Sequence, residues 1–291
     1  MSNIRYDDRV AVITGAGGGL GRSYALYLAE RGARVVINDL GGSIDGQGND
    51  TRAADKVVAE IQALGGEAVA NYDSVSNPGG GENIIQTAVD AYGKVDIVIN
   101  NAGILRDASI VKMSIENFDA LIDVHLKGAF YVTRPAFKIM KENGYGRVVY
   151  TASGAGLFGN FGQANYAAAK MGLVGLSSVT AIEGAKYNIK SNIITPIART
   201  RLTEDVMGVT GDMFAPKYIA PMVAYLVSEE CEYSHELFNV GAGRYSRIFI
   251  GSTPGWNAPQ GTTPSVEDIR ANLDTIYATD NFKIPTNAAE A

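Results

Sequence analysis

Short apolar runs rich in β-branched residues alternate with longer helix-like stretches along most of this chain. That alternation limits the possible folds more than any other feature. The runs are VAVIT (Val10–Thr14), RVVIND (34–39), EAVANY (67–72), VDIVIN (95–100), GRVVYTA (146–152) and NIKSNIIT (188–195). Between them lie LGRSYALYLAER, stopped by Gly32, and TRAADKVVAEIQAL, ended by Gly65 and Gly66. IIQTAVDAY, a long helical stretch over 114–142 and a helix running from Tyr166 towards Ala185 follow. Runs this apolar leave no face for solvent, so they predict an α/β chain whose parallel sheet is covered by helices on both sides. APKYIAPMVAYLVS (215–228) and LFNV (237–240) complete the series. The glycine-rich excursion LGGSIDGQGND (40–50) reads as a solvated loop.

From residue 252 the chain is irregular, and then TPSVEDIRANLDTIYA reads as one more helix. Thr263 suits the N-cap and Pro264 the first helical position. Val266, Ile269, Leu273 and Ile276 share a face, so that helix should pack on something. The expected organisation is one domain over 1–251 and a C-terminal extension over 252–291, packed on the domain or on a dimer partner.

VAVITGAGGGLG sets glycines directly after the first strand, where a helix opens. Glycines let the backbone turn sharply and approach a pyrophosphate, which then rests on the helix N-terminus. The order strand, motif, helix predicts a Rossmann-type doubly wound fold. Gly15, Gly19, Leu20 and Gly21 are its expected dinucleotide-binding positions. Asp39 ends the second strand, where a carboxylate can accept hydrogen bonds from ribose hydroxyls and repel a 2′-phosphate. No basic side chain interrupts the motif, and Arg22 is the one nearby cation, so the expected cofactor is NAD.

In YAAAK, Tyr166 and Lys170 stand one helical turn apart. Of the 15 tyrosines only Tyr166 has a lysine four positions on. Ser153 ends the fifth strand, and GAGLFGNFGQAN bridges it to Tyr166 as a loop at the ligand-binding edge. Free phenol ionises near pH 10, too high for a base at neutrality. An adjacent ammonium favours phenolate and lowers that value. Tyr166 could then take the proton of a secondary alcohol while Ser153 holds its oxygen and the hydride leaves for a nicotinamide.

TGAGGGLG, NNAG (100–103), Ser153 and YAAAK together resemble the short-chain dehydrogenase/reductase family from residue 10 to about 240. NDLGG, AADKVV, ANYDSV, NNAGILRD, GNFGQANY, AIEG and VGAG are similar, within it, to the (3R)-hydroxyacyl-CoA dehydrogenase part of peroxisomal multifunctional enzymes of type 2. The loop after Asp39 and the tail helix match that group too. The resemblance implies that Asp73 contacts adenine and that Asn101 and its neighbours line the cofactor. It implies a homodimer, with the long helix and the Tyr166 helix pairing across a two-fold axis. It also implies a single step, without the hydratase and sterol-carrier parts of that group. Two departures stand out. Members usually carry asparagine within the long helix, where DVHLKG puts His125; the resemblance implies that its backbone carbonyl keeps the role, and no role falls to the side chain. The usual Pro-Gly after the sixth strand is Pro196-Ile197, which leaves Thr200 and Thr203 as alternatives for the carboxamide contact.

The expected function is NAD-dependent oxidation of a (3R)-3-hydroxyacyl-CoA to a 3-oxoacyl-CoA. One rival is a dehydrogenase of a hydroxysteroid or other apolar secondary alcohol, since Met207, Met213 and Phe214 in a lid over 200–216 suit any apolar substrate. Another is a dinucleotide-binding sensor without turnover, against which Ser153, Tyr166 and Lys170 argue. A net charge of −6 without a basic block speaks against nucleic-acid binding. No apolar run reaches the length of a membrane span. Two histidines and the single Cys231 give a metal site little to build on. The lone cysteine also fits a reducing compartment, and with no peroxisomal tripeptide in the closing AEA the expected location is cytoplasmic.

Overall fold

A computed structural model of the chain describes residues 3–48, 50–200 and 212–290. Among them one sheet runs through β1 (Val10–Thr14), β2 (Arg34–Asn38), β3 (Glu67–Asn71), β4 (Ile97–Asn100), β5 (Gly146–Thr151), β6 (Ile189–Ile197), β7 (Leu237–Gly241) and β8 (Arg244–Ile248). Their order is β3-β2-β1-β4-β5-β6-β7-β8. β1 to β7 pair in parallel, as the alternation predicts. The order reverses between β1 and β4, and such a switch point opens a crevice at the carboxyl ends of the strands. Parallel register brings Thr14, Asn38 and Asn71 level at that edge. β8 goes beyond the sequence expectation. Ala242 and Gly243 join it to β7 with φ of 49° and 75°, the geometry of a tight hairpin.

Among the described residues before 248, the α-helices are α1 (Gly19–Ala29), α2 (Arg52–Ala63), α3 (Pro78–Tyr92), α4 (Ile115–Ile122), α5 (Gly128–Asn143), α6 (Gly154–Phe158), α7 (Ala164–Gly184) and α8 (Ala220–Val227). α1, α2 and α8 cover one face of the sheet, and α3, α5 and α7 the other. Val12, Ile13, Val36, Ile37, Val98, Ile99 and Val149 are wholly buried between these layers. Each such side chain contributes on the order of 1.5–3 kcal/mol. No helix among the described residues is long and apolar enough to cross a membrane.

α3 starts well before IIQTAVDAY. The Asn77 side chain accepts from the Gly80 N–H at 2.7 Å, and Pro78 takes a first-turn position where a missing N–H costs nothing. Glycine in this first turn allows close approach: a Cβ on Gly81 would stand 2.5 Å from the Tyr131 carbonyl oxygen of α5. The stretch 114–142 is helical but not one helix. Ser114 caps α4, and Asp123–Lys127 widen into a π-turn before α5 begins. Such bulges recur at functional sites.

At the amino ends of the strands sits a charged cluster. Asp96 is 3% exposed and accepts from the Val10 N–H at 2.9 Å, Lys94 Nζ at 3.0 Å and Arg9 Nη1 at 3.3 Å. Buried Arg147 donates to the carbonyls of Gly146, Asn188 and Ser228 at 2.8, 2.9 and 3.1 Å. Its guanidinium and that of Arg9 lie 4.3 and 3.7 Å from the Tyr145 ring centre. A cavity of about 220 Å³ opens here, lined by Arg5, Arg9, Lys94 and Glu229, away from the site described below.

The chain divides into two compact units, residues 1–247 and 248–291. Within the second, Phe249 stacks on Phe282 and Ser252 bridges to Lys283. The N-cap is Ser265, not Thr263, because Asp268 completes a capping box with it. Pro264 therefore precedes the helix, which splits at Asn272 into α9 (Val266–Ala271) and α10 (Leu273–Tyr277). Val266, Ile269 and Leu273 are exposed.

Candidate active site

Gly15 and Gly19 adopt φ of +63° and +52°, the left-handed region that glycine tolerates. A Cβ on Gly15 would lie 2.7 Å from Ala102 Cα, and one on Gly21 would lie 2.4 Å from the Gly15 carbonyl oxygen. The turn is thus closed on its inner side. Outward it is open, since a Cβ on Gly18 meets nothing within 4 Å. A pyrophosphate fits that opening, facing the N-terminus of α1. Leu20 packs against the core and supplies shape there. Thr200 lies over the turn, 3.6 Å from where a Gly19 Cβ would stand, whereas Thr203 and Met207 fall outside the described residues. Met213 is half exposed, and the Phe214 carbonyl accepts the Arg199 N–H at 2.7 Å.

Asn101 laces the floor of the crevice. Its N–H donates to Thr14 Oγ1, and its Nδ2 to the carbonyls of Thr14 and Gly15, each at 3.0 Å. Thr14 Oγ1 also takes the Ala102 N–H at 3.1 Å. Nothing in the sequence singles out Thr14, because a threonine ending an apolar run looks like any strand residue. Asp39 holds the rim, accepting the Gly17 N–H at 2.8 Å and the Gly41 N–H at 2.7 Å. A Cβ on Gly17 would press to 2.8 Å from the same carboxylate. Each Asp39 oxygen keeps a lone pair for a ribose hydroxyl. Asp73 accepts Asn71 Nδ2 at 2.8 Å and Asn83 Nδ2 at 3.2 Å. Arg22 pairs with Glu60 of α2.

The loop over 40–50 is more than solvated chain. The Leu105 N–H donates to the Ile44 carbonyl at 3.0 Å, and Arg106 Nε to the Asp45 carbonyl at 2.9 Å. These bonds fasten it to the segment after β4.

Ser153 follows β5 and caps α6, where its Oγ accepts the Ala155 N–H at 3.2 Å. The expected bridging loop therefore contains a helix. α6 packs closely on α7, so that a Cβ on Gly156 would stand 2.5 Å from Lys170 Cβ. Tyr166 is half-buried and Lys170 is 4% exposed, its Nζ 5.5 Å from the Tyr166 ring centre. Asn165, fully buried, fixes the start of α7. Its Nδ2 donates to the carbonyls of Arg106 and Asn117 at 2.9 and 3.3 Å, and its Oδ1 accepts the Tyr166 N–H at 2.8 Å. Only its place in GNFGQANY pointed to it.

The electrostatics depart from the sequence expectation. Burial raises the Tyr166 phenol above its ordinary value, against a hydrogen bond with Ser153 that lowers it. Burial also pushes the Lys170 ammonium down to about 7. Both shifts disfavour the charged form of a group removed from water. The free protein thus does not hold a ready phenolate. His125, buried on the π-turn, is kept well below its ordinary value by burial and by Lys170.

The chain is 51% identical over 278 residues to a short-chain type dehydrogenase/reductase of Mycobacterium tuberculosis, covering 95% of this chain and 96% of that one. It is 48% identical over 292 residues to the mouse peroxisomal multifunctional enzyme type 2, of whose length it spans 39%. The structure of the full-length Drosophila melanogaster peroxisomal multifunctional enzyme type 2 superposes with a TM-score of 0.82 at 40% identity, over 99% of this chain and 48% of that one. Residues 9–207 match the family described as short chain dehydrogenase, and the chain belongs to that family.

Proposed function

We propose that the protein oxidises (3R)-3-hydroxyacyl-CoA to 3-oxoacyl-CoA, reversibly, with NAD. The carrying observation is that Ser153, Tyr166 and Lys170 gather at the carboxyl edge of the sheet, beside a glycine turn rimmed by Asp39. Bound NAD supplies the hydride acceptor. Tyr166 takes the proton of the carbinol hydroxyl, and in reverse returns it to the carbonyl oxygen. Ser153 Oγ holds that oxygen. Lys170 tunes Tyr166 and steadies the cofactor ribose. Gly15, Gly19, Leu20, Gly21, Asp39, Asp73 and Asn101 form the cofactor site, and the Asp39 charge favours NAD over NADP.

The acyl-CoA part of the reading rests on similarity to the multifunctional enzymes. Phe158 and Phe161, 76% and 90% exposed between Ser153 and Tyr166, suit an apolar acyl chain. Phe130 of α5 and Met171, Val179 and Ile182 of α7 are exposed, and a homodimer would cover them. Val266, Ile269 and Leu273 of the extension over 252–291 are exposed as well, and a partner copy would cover them. A cytoplasmic location rests on free Cys231.

The test is NADH formation across a ladder of 3-hydroxyacyl-CoA lengths, a steroid side-chain thioester and free hydroxysteroids. Turnover of the free alcohols alone would move the assignment to the hydroxysteroid class. NADH binding without any turnover would make the protein a sensor.

A further inference from the structure

The loop after β2 is closed on itself. At its neck the Asp50 N–H donates to the Gly41 carbonyl at 3.0 Å, and the Gly41 N–H donates to Asp39 at 2.7 Å. The neck is tight, since a Cβ on Gly41 would stand 2.2 Å from the Asp50 carbonyl oxygen. Inside the loop the Ser43 N–H donates to the Gln47 carbonyl at 2.8 Å, and the Gly46 N–H to the Ser43 carbonyl at 3.0 Å. The Gln47 N–H reaches Ser43 Oγ at 3.1 Å. Compact loops whose ends meet in this way are frequently functional.

Neck and tip lie on opposite sides of β1. The neck follows β2, whereas the Ile44 and Asp45 carbonyls at the tip accept from Leu105 and Arg106, which follow β4. Gly46 closes on the same segment, because a Cβ there would stand 3.1 Å from Ile104 Cγ2. β2 and β4 flank β1 in the sheet, and two strand spacings make about 10 Å. The loop therefore crosses the carboxyl end of β1, where the glycine turn begins.

Arg106 fastens the tip. Its Nε donates to the Asp45 carbonyl at 2.9 Å and its Nη1 to Asn117 Oδ1 of α4 at 3.4 Å. Its own carbonyl accepts Asn165 Nδ2 at 2.9 Å, at the start of α7. A planar guanidinium with its donors in a fixed fork serves two acceptors at once. Backbone and side chain are thus both anchored, and the loop tip meets a donor already aimed at it.

We infer that residues 41–48 are a strap over the adenosine half of the cofactor crevice, and that Arg106 is the positioning residue that latches it. Asp39, the ribose-binding carboxylate, stands at the neck, so NAD enters and leaves past the strap. The latch sets how fast the cofactor exchanges and takes no part in proton transfer. This rests on the reading of Asp39 and the glycine turn as the cofactor site.

Hydrogen–deuterium exchange of the full chain, free and with NADH, tests the strap without any assay. NADH should slow exchange over 15–21 and over 40–48 alike. Slowing over 15–21 alone would overturn the strap and leave the cofactor site standing. Slowing over neither would remove the cofactor-site reading and the strap with it. Arg106→Leu keeps an apolar stem but loses the donors. It should speed exchange over 40–48 in the free protein and raise the NADH dissociation rate by about tenfold, read by stopped-flow fluorescence. Its thermal melt without ligand should stay near wild type. Arg106→Lys, which returns one donor to the Asp45 carbonyl, should recover part of the slow dissociation. A lowered melt with an unchanged dissociation rate would make Arg106 merely structural and overturn the latch. Should Arg106→Leu not fold, the wild-type exchange and the Arg106→Lys rate decide.

Discussion

Lys170 Nζ donates to the carbonyl oxygen of Thr151 at 2.6 Å, which ties α7 to the end of the strand that leads into Ser153. One bond thus sets the spacing of two site elements, and it holds a cation in a buried place. The cost of that cation has a measurable sign.

The Lys170 pKa falls from an unfolded value of 10.5 to about 7. Between these values the unfolded chain binds more protons, so stability rises with pH there. Lys170→Met should therefore stabilise the ligand-free protein at pH 7 and below, by on the order of a few kcal/mol. The gain should fade as pH climbs from about 7 to about 10.5. Thermal melts of both proteins across that range check it; a gain that grows with pH contradicts it.

Tyr166→Phe should keep the fold and NADH binding while kcat falls by at least about 10²–10⁴-fold. NADH fluorescence titration beside steady-state rates separates the two effects.

Because burial raises the free phenol, the free enzyme should show its basic limb above the usual tyrosine range. Oxidation needs phenolate, so the rate rises as pH passes through that pKa. NAD binding gives the Lys170 ammonium new acceptors, and the limb in kcat should lie at lower pH than the limb in kcat/KM for NAD. In Lys170→Met the two limbs should coincide. Coincident limbs in wild type would show that Lys170 does not tune Tyr166.

For the cofactor, kcat/KM should favour NAD over NADP in wild type. Asp39→Ala should lose NAD efficiency and reject NADP less. It also strands the Gly17 and Gly41 N–H groups, so KM for NAD should rise by about tenfold or more.

Light scattering at micromolar concentration should give a dimeric mass. Met171→Glu with Val179→Glu, which puts charge on the exposed face of α7, should return a monomer.

The fold was legible where periodicity carried it. β1, β2, β4 and β5 are buried on both faces, and apolar runs record that directly. β8 was not legible, since an edge hairpin with Arg244, Tyr245 and Arg247 exposed has no apolar face to announce it. The start of α3 was hidden because Gly80 answers to the Ser74 carbonyl and Gly81 to Tyr131 of α5 rather than to helix propensity. Tyr166, Lys170 and Ser153 stood out by spacing. Thr14, Gly17 and Asn165 did not, because each acts through a hydrogen-bond partner far away in the chain. The phenol's direction was missed for a related reason: spacing shows that Lys170 is near but not how far each group is withdrawn from water.

Arg147 and Thr151 mark the two ends of β5, one on the Tyr145 stack, the other on Lys170. A strand rises about 3.3 Å per residue, and substitutions more than about 7–10 Å apart usually add independently. Changes at the two rims should therefore accumulate without interference. A lineage moving to a hotter habitat could rework the Arg9–Asp96–Arg147 rim while the opposite rim drifts toward a new diet, and neither history would constrain the other.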